Sequence, residues 1–507
     1  MARKGTRMPR SASVPDDVVS TGIPGLDDIM TGGFTRRRLF LVEGVPGSGK
    51  TTLAMQYLMA AAKRGEPVLY VTLSETAEEL RASAASHGWS LDGIDIRELA
   101  PTEAALDPEE QVTMFHPSET ELASTTRLIL VDVERLKPAC LVFDSLSELR
   151  LLAGTPLRYR RQILAMKQFF ASRQCTVVLL DDLTATVNDL QMQSLAHGVV
   201  SLEHLNPEYG SQRRRLRIAK YRGRPFRGGH HDYTIRTGGI DVFPRLVAAE
   251  HRHAATHVQL PSDIPELDAL LGGGLEEASS TLIVGAAGTG KSTVAAQFVA
   301  AAAARQQRAA LFLFDESVDT LLRRCDHLHV SLRGPVDAGT VSLQQVDPAE
   351  LSPGEFIHII RTAVEQDGVR IVVIDSLNGY LNAMPGERFL AAQLHELFMY
   401  LGQRGVATIL IGSQHGLIGG EMTTPADASY MADTVILLRY FETGGEVRQA
   451  ISVIKKRGGV HERTVREFRL ADGRIIVGDV LRDFRGVLTG TPLETRHANV
   501  APREQRV

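Results

Sequence analysis

The sequence predicts an α/β fold built twice in tandem, each copy a mostly parallel sheet flanked by helices. Three observations carry this. Two G-x-x-x-x-G-K-[ST] loops occur in the 507 residues, short apolar runs of strand length alternate with helical patterns, and matching motifs recur at a nearly constant spacing.

The loops come first. GVPGSGKT spans Gly44–Thr51 and GAAGTGKS spans Gly285–Ser292. In such a P-loop the glycines let backbone N–H groups close around phosphates, the lysine reaches the β- and γ-phosphates, and the hydroxyl holds Mg²⁺. Each loop follows an apolar run (Leu39–Val42; Thr281–Val284) and precedes a helical pattern (Thr52–Ala62; Thr293–Ala304), the strand–loop–helix context the motif requires. The expected ATP contacts are Gly44, Pro46, Gly47, Ser48, Gly49, Lys50, Thr51 and Thr52 in the first copy. In the second they are Gly285, Ala287, Gly288, Thr289, Gly290, Lys291, Ser292 and Thr293.

Lys50 and Lys291 lie 241 positions apart, as do Pro24 and Pro265, and Asp27 and Asp268. Asp144 in LVFDS and Asp375 in VVIDS are 231 apart, and Lys220–Arg222–Gly223 and Lys455–Arg457–Gly458 are 235 apart. Drifts this small mean loop insertions and deletions. The chain is a tandem repeat of one domain of roughly 230 residues, too large for a solenoid unit.

Along the chain, 1–16 is expected to be a disordered basic arm (Arg3, Lys4, Arg7, Arg10). Residues 17–244 form the first domain, with strands predicted at Val68–Leu73, Leu141–Phe143, Thr176–Leu180 and Val199–Leu202. Residues 245–257 join the repeats; His251, His253 and His257 there lack the carboxylate or cysteine companions of a metal site. Residues 258–490 repeat the scheme, with strands at Ala310–Phe314, Ile371–Ile374, Thr408–Ile411 and Thr434–Leu438, and 491–507 reads as a mobile tail.

With 56 Lys and Arg against 60 Asp and Glu, the net charge of −4 gives no bulk drive toward nucleic acid or membranes. No apolar run reaches the roughly 18 residues of a membrane span. Cys140, Cys175 and Cys325 are far apart and have no metal-ligand spacing, so they are expected as buried small hydrophobes in a cytoplasmic protein.

Chemistry beyond phosphate binding needs three further groups. Asp144 and Asp375 end apolar strands, where a carboxylate can join Thr51 or Ser292 at Mg²⁺. A second carboxylate must orient or deprotonate the attacking group. The candidates follow the next strand: Glu75 in Ser74–Glu75, and Asp315 and Glu316, all equally placed to cap a helix. Cations must neutralise charge on the transferred phosphoryl group. Lys220 and Arg222, and likewise Lys455 and Arg457, stand two apart at the end of a β-run and project to one face. If they cannot reach their own P-loop, a neighbouring subunit's site is the natural target, which predicts a ring.

These motifs together resemble the KaiC family of tandem RecA-like ATPases. The resemblance covers about Val19 to Pro492, through STGIPGLDDIMTGGF, both P-loops, YVTLSET, VFDSL, VVIDSL, RRRLRIAKYRG, DTVILLRY and ISVIKKRGGVHERTVREF. It implies a double-ringed homohexamer that binds ATP and Mg²⁺ between subunits, a signalling or timing role, and a regulatory partner of KaiB type. It further implies that Lys220, Arg222, Lys455, Arg457 and His461 contact nucleotide across the interface, and that Ser86 in ASHGW touches nucleotide.

The sequence departs from the family in three places. Where clock members carry Glu-Glu in both domains, this chain has Ser74–Glu75 and Asp315–Glu316. Where they carry adjacent Ser-Thr phosphoacceptors, it has Ser429 and Tyr430, with Thr423 and Thr424 nearby. The tail after GVLTGTP is short for docking an activator. The expectation is Mg-ATP hydrolysis in both domains, with serine autokinase and autophosphatase activity confined to the second. Two other readings stand beside it. One is a DNA-dependent motor using Arg213–Arg215, Arg222, Arg224 and Arg227 with Tyr221 and Phe226; the other is a slow nucleotide-gated scaffold.

Overall fold

In the computed structural model, residues 17–99, 117–183, 191–207, 210–251, 258–347, 349–382, 389–414, 428–489 and 493–494 are described. The chain divides into two units, 1–245 and 246–507. Each contains a nine-stranded sheet of the same topology.

In the first unit the sheet runs, from one edge, Asp95–Glu98, Val68–Thr72, Cys140–Asp144, Thr176–Asp181, Leu39–Gly44 and Gly198–Leu205. These six strands are parallel. Three antiparallel strands follow: Arg213–Tyr221, His231–Arg236 and Gly239–Phe243. The second unit repeats the order with Val341–Gln345, Ala309–Leu313, Ile371–Asp375, Ala407–Ser413, Ser280–Gly285 and Thr434–Thr443 parallel. Glu446–Lys456, Arg466–Ala471 and Arg474–Val480 are its antiparallel strands.

The central strands are apolar on both faces because helices cover both. Along Leu39–Val42 the alternation is visible directly. Phe40 and Val42 enter one core with Leu53, Tyr57 and Leu58 of the P-loop helix Lys50–Lys63, while Leu39 and Leu41 enter the other with Ile163 and Phe170. Among the antiparallel strands Gly239–Phe243 exposes Asp241 alone, whereas Arg213–Tyr221 is half-exposed and buries only Leu216, Ile218 and Tyr221. That one-faced pattern is why the sheet is mixed and not wholly parallel.

The segment joining the repeats does not begin as free chain. Leu246 and Ala248 pack into the second unit's core, and the His251 ring stands edge-on to Tyr400 at 4.9 Å; His253 and His257 lie outside the described residues. All three cysteines are buried and free. Among the described residues no helix is long and apolar enough to cross a membrane, and no cluster of three metal-ligating side chains occurs.

Candidate functional site

Both P-loops turn at the carboxyl end of a central strand, and the strand ending in Asp144 or Asp375 lies two positions away in the sheet, with one strand between. The turn depends on left-handed backbone at Gly47 and Gly49 (φ 78° and 91°) and at Gly288 and Gly290 (79° and 94°). A side chain at Gly49 would also meet Ile235 at 2.5 Å. The helices Lys50–Lys63 and Lys291–Ala304 start there, aiming free N–H groups at the loop. Lys50 donates to the Gly44 and Val45 carbonyls at 2.8 and 3.1 Å, and Lys291 to the Ala286 carbonyl at 2.7 Å.

The expected metal pairs are brought together. Thr51 Oγ1 donates to Asp144 Oδ2 at 3.1 Å, and burial pushes the Asp144 carboxyl above its usual range against the hydrogen bonds that oppose it. Its counterpart Asp375 is pushed up to about 6, by burial first, with the Ser292 hydroxyl beside it. The surroundings differ in one place: Tyr70 donates a second hydrogen bond to Asp144 at 2.7 Å, while Leu311 stands at that strand position in the second unit. Each pair, a hydroxyl with a strand-end carboxylate, is an oxygen donor set suited to Mg²⁺.

The acidic pairs differ more than their sequences suggest. Glu75 is half-buried, and burial followed by the charges of Asp144, Glu79 and Asp182 raises its carboxyl. In the second unit Glu316 is gripped by Arg324 through two 2.7 Å hydrogen bonds. Among the described residues Asp315 accepts only from the Ser376 hydroxyl, and it stays exposed. Of the two, Asp315 is the carboxylate left available.

A further acidic group lies in the first site. Asp182 forms an ion pair with Lys50 at 2.8 Å and accepts from Ser147 at 3.0 Å. Burial raises its carboxyl, but the Lys50 hydrogen bond and charge outweigh that and hold it low. The second unit has Ser413 here, bonded to Asn378 through backbone N–H and C=O at 2.9 Å. The sequence signal was the Asp181–Asp182 doublet ending an apolar run, where the repeat has Gly412–Ser413.

The cation pairs sit at the other end of the sheet. Lys220 pairs with Val199, which is level with Leu41, three residues short of Gly44, so about three strand rises, ~10 Å, separate it from the start of its own P-loop. Lys220 donates to Gln193 and Ser194 carbonyls and Arg222 to Ser194, closing the end of helix Gln191–Leu195. Lys455 and Arg457 repeat this on Ser429, Ala432 and Tyr430 carbonyls. Ser86 ends a helix with its hydroxyl on the Ser83 carbonyl, and His461 lies beside Gly272; neither meets a P-loop of its own unit. Ser429 and Tyr430 are exposed, and Thr424 lies outside the described residues.

The arginine cluster weighed for DNA is largely paired: Arg224 with Asp17, Arg227 with Asp28, Arg215 with Asp232. Tyr221 is buried and Phe226 packs against the core, so neither offers a stacking face.

Comparison with known proteins gives one answer. The family model for the KaiC ATPase matches residues 19–247 and again 260–481. The chain is 26% identical over 488 residues to the circadian clock protein KaiC3 of Synechocystis sp., covering 95% of this chain and 96% of that protein. It is 28% identical over 479 residues to the circadian clock oscillator protein KaiC of Synechococcus elongatus, covering 93% and 91%. Two P-loops, two strand-end aspartates and one topology repeated over nearly the whole length place this chain in the KaiC family of ATPases.

Proposed function

We propose that the chain hydrolyses Mg-ATP at both P-loops within a homohexameric double ring. The observation that carries this is the pairing of each P-loop hydroxyl with a strand-end aspartate, while the cations needed for charge neutralisation stand about 10 Å or more back along the sheet, toward its opposite end. Mg²⁺ would be held by Thr51 with Asp144 and by Ser292 with Asp375, and would neutralise charge on the phosphates. Lys50 and Lys291 hold the phosphates. Glu75 in the first site and Asp315 in the second accept a proton from the attacking group or orient it. Lys220 with Arg222, and Lys455 with Arg457, complete a neighbour's site. The test is Arg457→Ala: second-site turnover should fall at least about tenfold while nucleotide binding by the isolated subunit persists. Loss of that binding too would defeat the in-trans assignment.

A serine autokinase activity of the second unit is the finer reading. Ser429 is exposed, its own carbonyl accepts from Lys455 at 2.8 Å, and Tyr430 is held by Arg457. A neighbour's γ-phosphate drawn to those cations would meet the Ser429 hydroxyl, whereas the Tyr430 hydroxyl lies a ring's length further out. Peptide mapping after incubation with Mg-ATP should find phosphate on Ser429; phosphate found only elsewhere would reject it. The ring and a regulatory partner of KaiB type stand on the family resemblance, and native mass measurement with ATP tests the assembly.

A further inference from the structure

A cavity of about 320 Å³ opens in the first unit at the amino end of the central strands, the end away from its P-loop. Arg37, Arg38, Lys167, His197 and Arg222 line it over an apolar floor that includes Phe170 and Cys175. Among the described residues no carboxylate lies within ion-pair distance of any of the five. Lys167 and Arg222 spend one donor each on the Leu195 and Ser194 carbonyls, at 2.7 and 2.8 Å. The His197 Nε2 is sealed from solvent and has no hydrogen-bond partner among the described residues. Burial first, then the charges of Arg38, Arg222, Lys167 and Lys220, push His197 down to about 4, so the recess is strongly positive.

The second unit is a built-in control. Backbone hydrogen bonds fix the equivalences: His197 N to Leu39 O matches Asp433 N to Ser280 O, and Arg222 N to His197 O matches Arg457 N to Asp433 O. Val177 N to Arg38 O matches Thr408 N to Ser279 O, and Arg173 N to Phe170 O matches Arg404 N to Leu401 O. By that register Arg37, Arg38, Lys167, His197 and Arg222 correspond to Ala278, Ser279, Phe398, Asp433 and Arg457. The second unit keeps one cation, and Asp433 neutralises it at 3.3 Å. The same corner of the same fold is a charge-balanced surface in one repeat and a concentration of unbalanced cations in the other.

Unbalanced cations around one recess repel one another, and that cost favours an anion that ends it. Forked guanidiniums with a lysine suit phosphoryl oxygens. The volume is at the small end of ligand pockets, about 300–1,000 Å³, and fits a compact ligand better than a polymer. The neighbouring arginines that a nucleic-acid track would need are already paired with Asp17 and Asp28. We propose that this cavity binds a free oligophosphate, inorganic or the phosphate tail of a small nucleotide, as a third anion site distinct from both P-loops and peculiar to the first unit. Arg37, Arg38, Lys167 and His197 hold it, which leaves Arg222 to the neighbour's site.

The test uses the full chain with both P-loops filled by a non-hydrolysable ATP analogue and Mg²⁺, dialysed against labelled inorganic pyrophosphate. One further equivalent per chain should bind, more weakly as salt rises. The double variant Arg38→Ser with Lys167→Phe, carrying the second unit's residues, should weaken it at least about tenfold, the loss of one charge-assisted hydrogen bond or more. Arg38→Gln with Lys167→Gln keeps side-chain bulk and should do the same, with analogue binding at the P-loops unchanged. No additional equivalent, or an affinity in either double variant equal to that of the unaltered chain, would overturn the proposal.

Discussion

Replacing Asp182 by serine, the second unit's residue, should tighten ATP binding at the first P-loop. Lys50 is 6% exposed and Asp182 30%, and their charged groups meet at 2.8 Å. A γ-phosphate must take the same ammonium, so the pair competes with the nucleotide. A hydrogen bond between charged groups contributes about 1.5–3 kcal/mol, and the part-exposure of Asp182 lowers this to about 1–2 kcal/mol. Removing the competitor therefore strengthens triphosphate binding about five- to thirty-fold, since 1.4 kcal/mol is tenfold. Lys50 keeps its Gly44 and Val45 carbonyls, so the loop should hold its shape. The assay is titration of a fluorescent ATP analogue into the Asp182→Ser chain, with Lys291→Ala emptying the second site in both variant and reference. Unchanged or weakened affinity would refute the reasoning, because it would mean that Asp182 yields without cost or assists the bound nucleotide.

Three other outcomes are expected. Asp315→Asn should lower second-site turnover by about a hundredfold, the low end of general-base effects, as read by phosphate release with the first site disabled. Glu316→Gln should act mainly on stability, costing about 1–3 kcal/mol by weakening the grip on Arg324, seen as a lower urea midpoint. The first unit should also lose stability in acid through His231, which is 1% exposed and pushed down to about 4 by burial foremost. It accepts from Arg245 N at 2.9 Å and donates to Arg227 O at 3.0 Å, the pattern of a neutral ring. The unfolded chain titrates near 6.5, so as pH falls from there toward 4 it takes up a proton that the fold refuses. The loss is about 1.4 kcal/mol per unit and up to about 3 kcal/mol in all, and His231→Gln should flatten that slope in urea unfolding.

The strand predictions fell within a few residues of the observed elements, because Val68–Thr72, Cys140–Asp144 and their repeats are apolar runs ended by turns. The P-loops and the Thr51–Asp144 meeting were legible for the same reason: a strand, a tight turn and a helix start are local, and topology then sets the aspartate strand two positions away. The antiparallel extension was less so, since its one-faced pattern resembles any half-exposed strand. Ion-pair choice was not legible at all. Nothing in Asp315–Glu316 says that Glu316 turns to Arg324, because that depends on which helix face looks back at the strand end.

By itself the sequence determined the duplication, the α/β class, both phosphate loops and the family, since these rest on local patterns repeated at fixed spacing. Tertiary structure alone decided which charges balance. Lys50 meets Asp182, 132 positions away, while Arg38, Lys167, His197 and Arg222 converge from four separate segments with no acid among them. Charge balance is a property of distance in space, and two repeats with one fold reached opposite answers at the same corner.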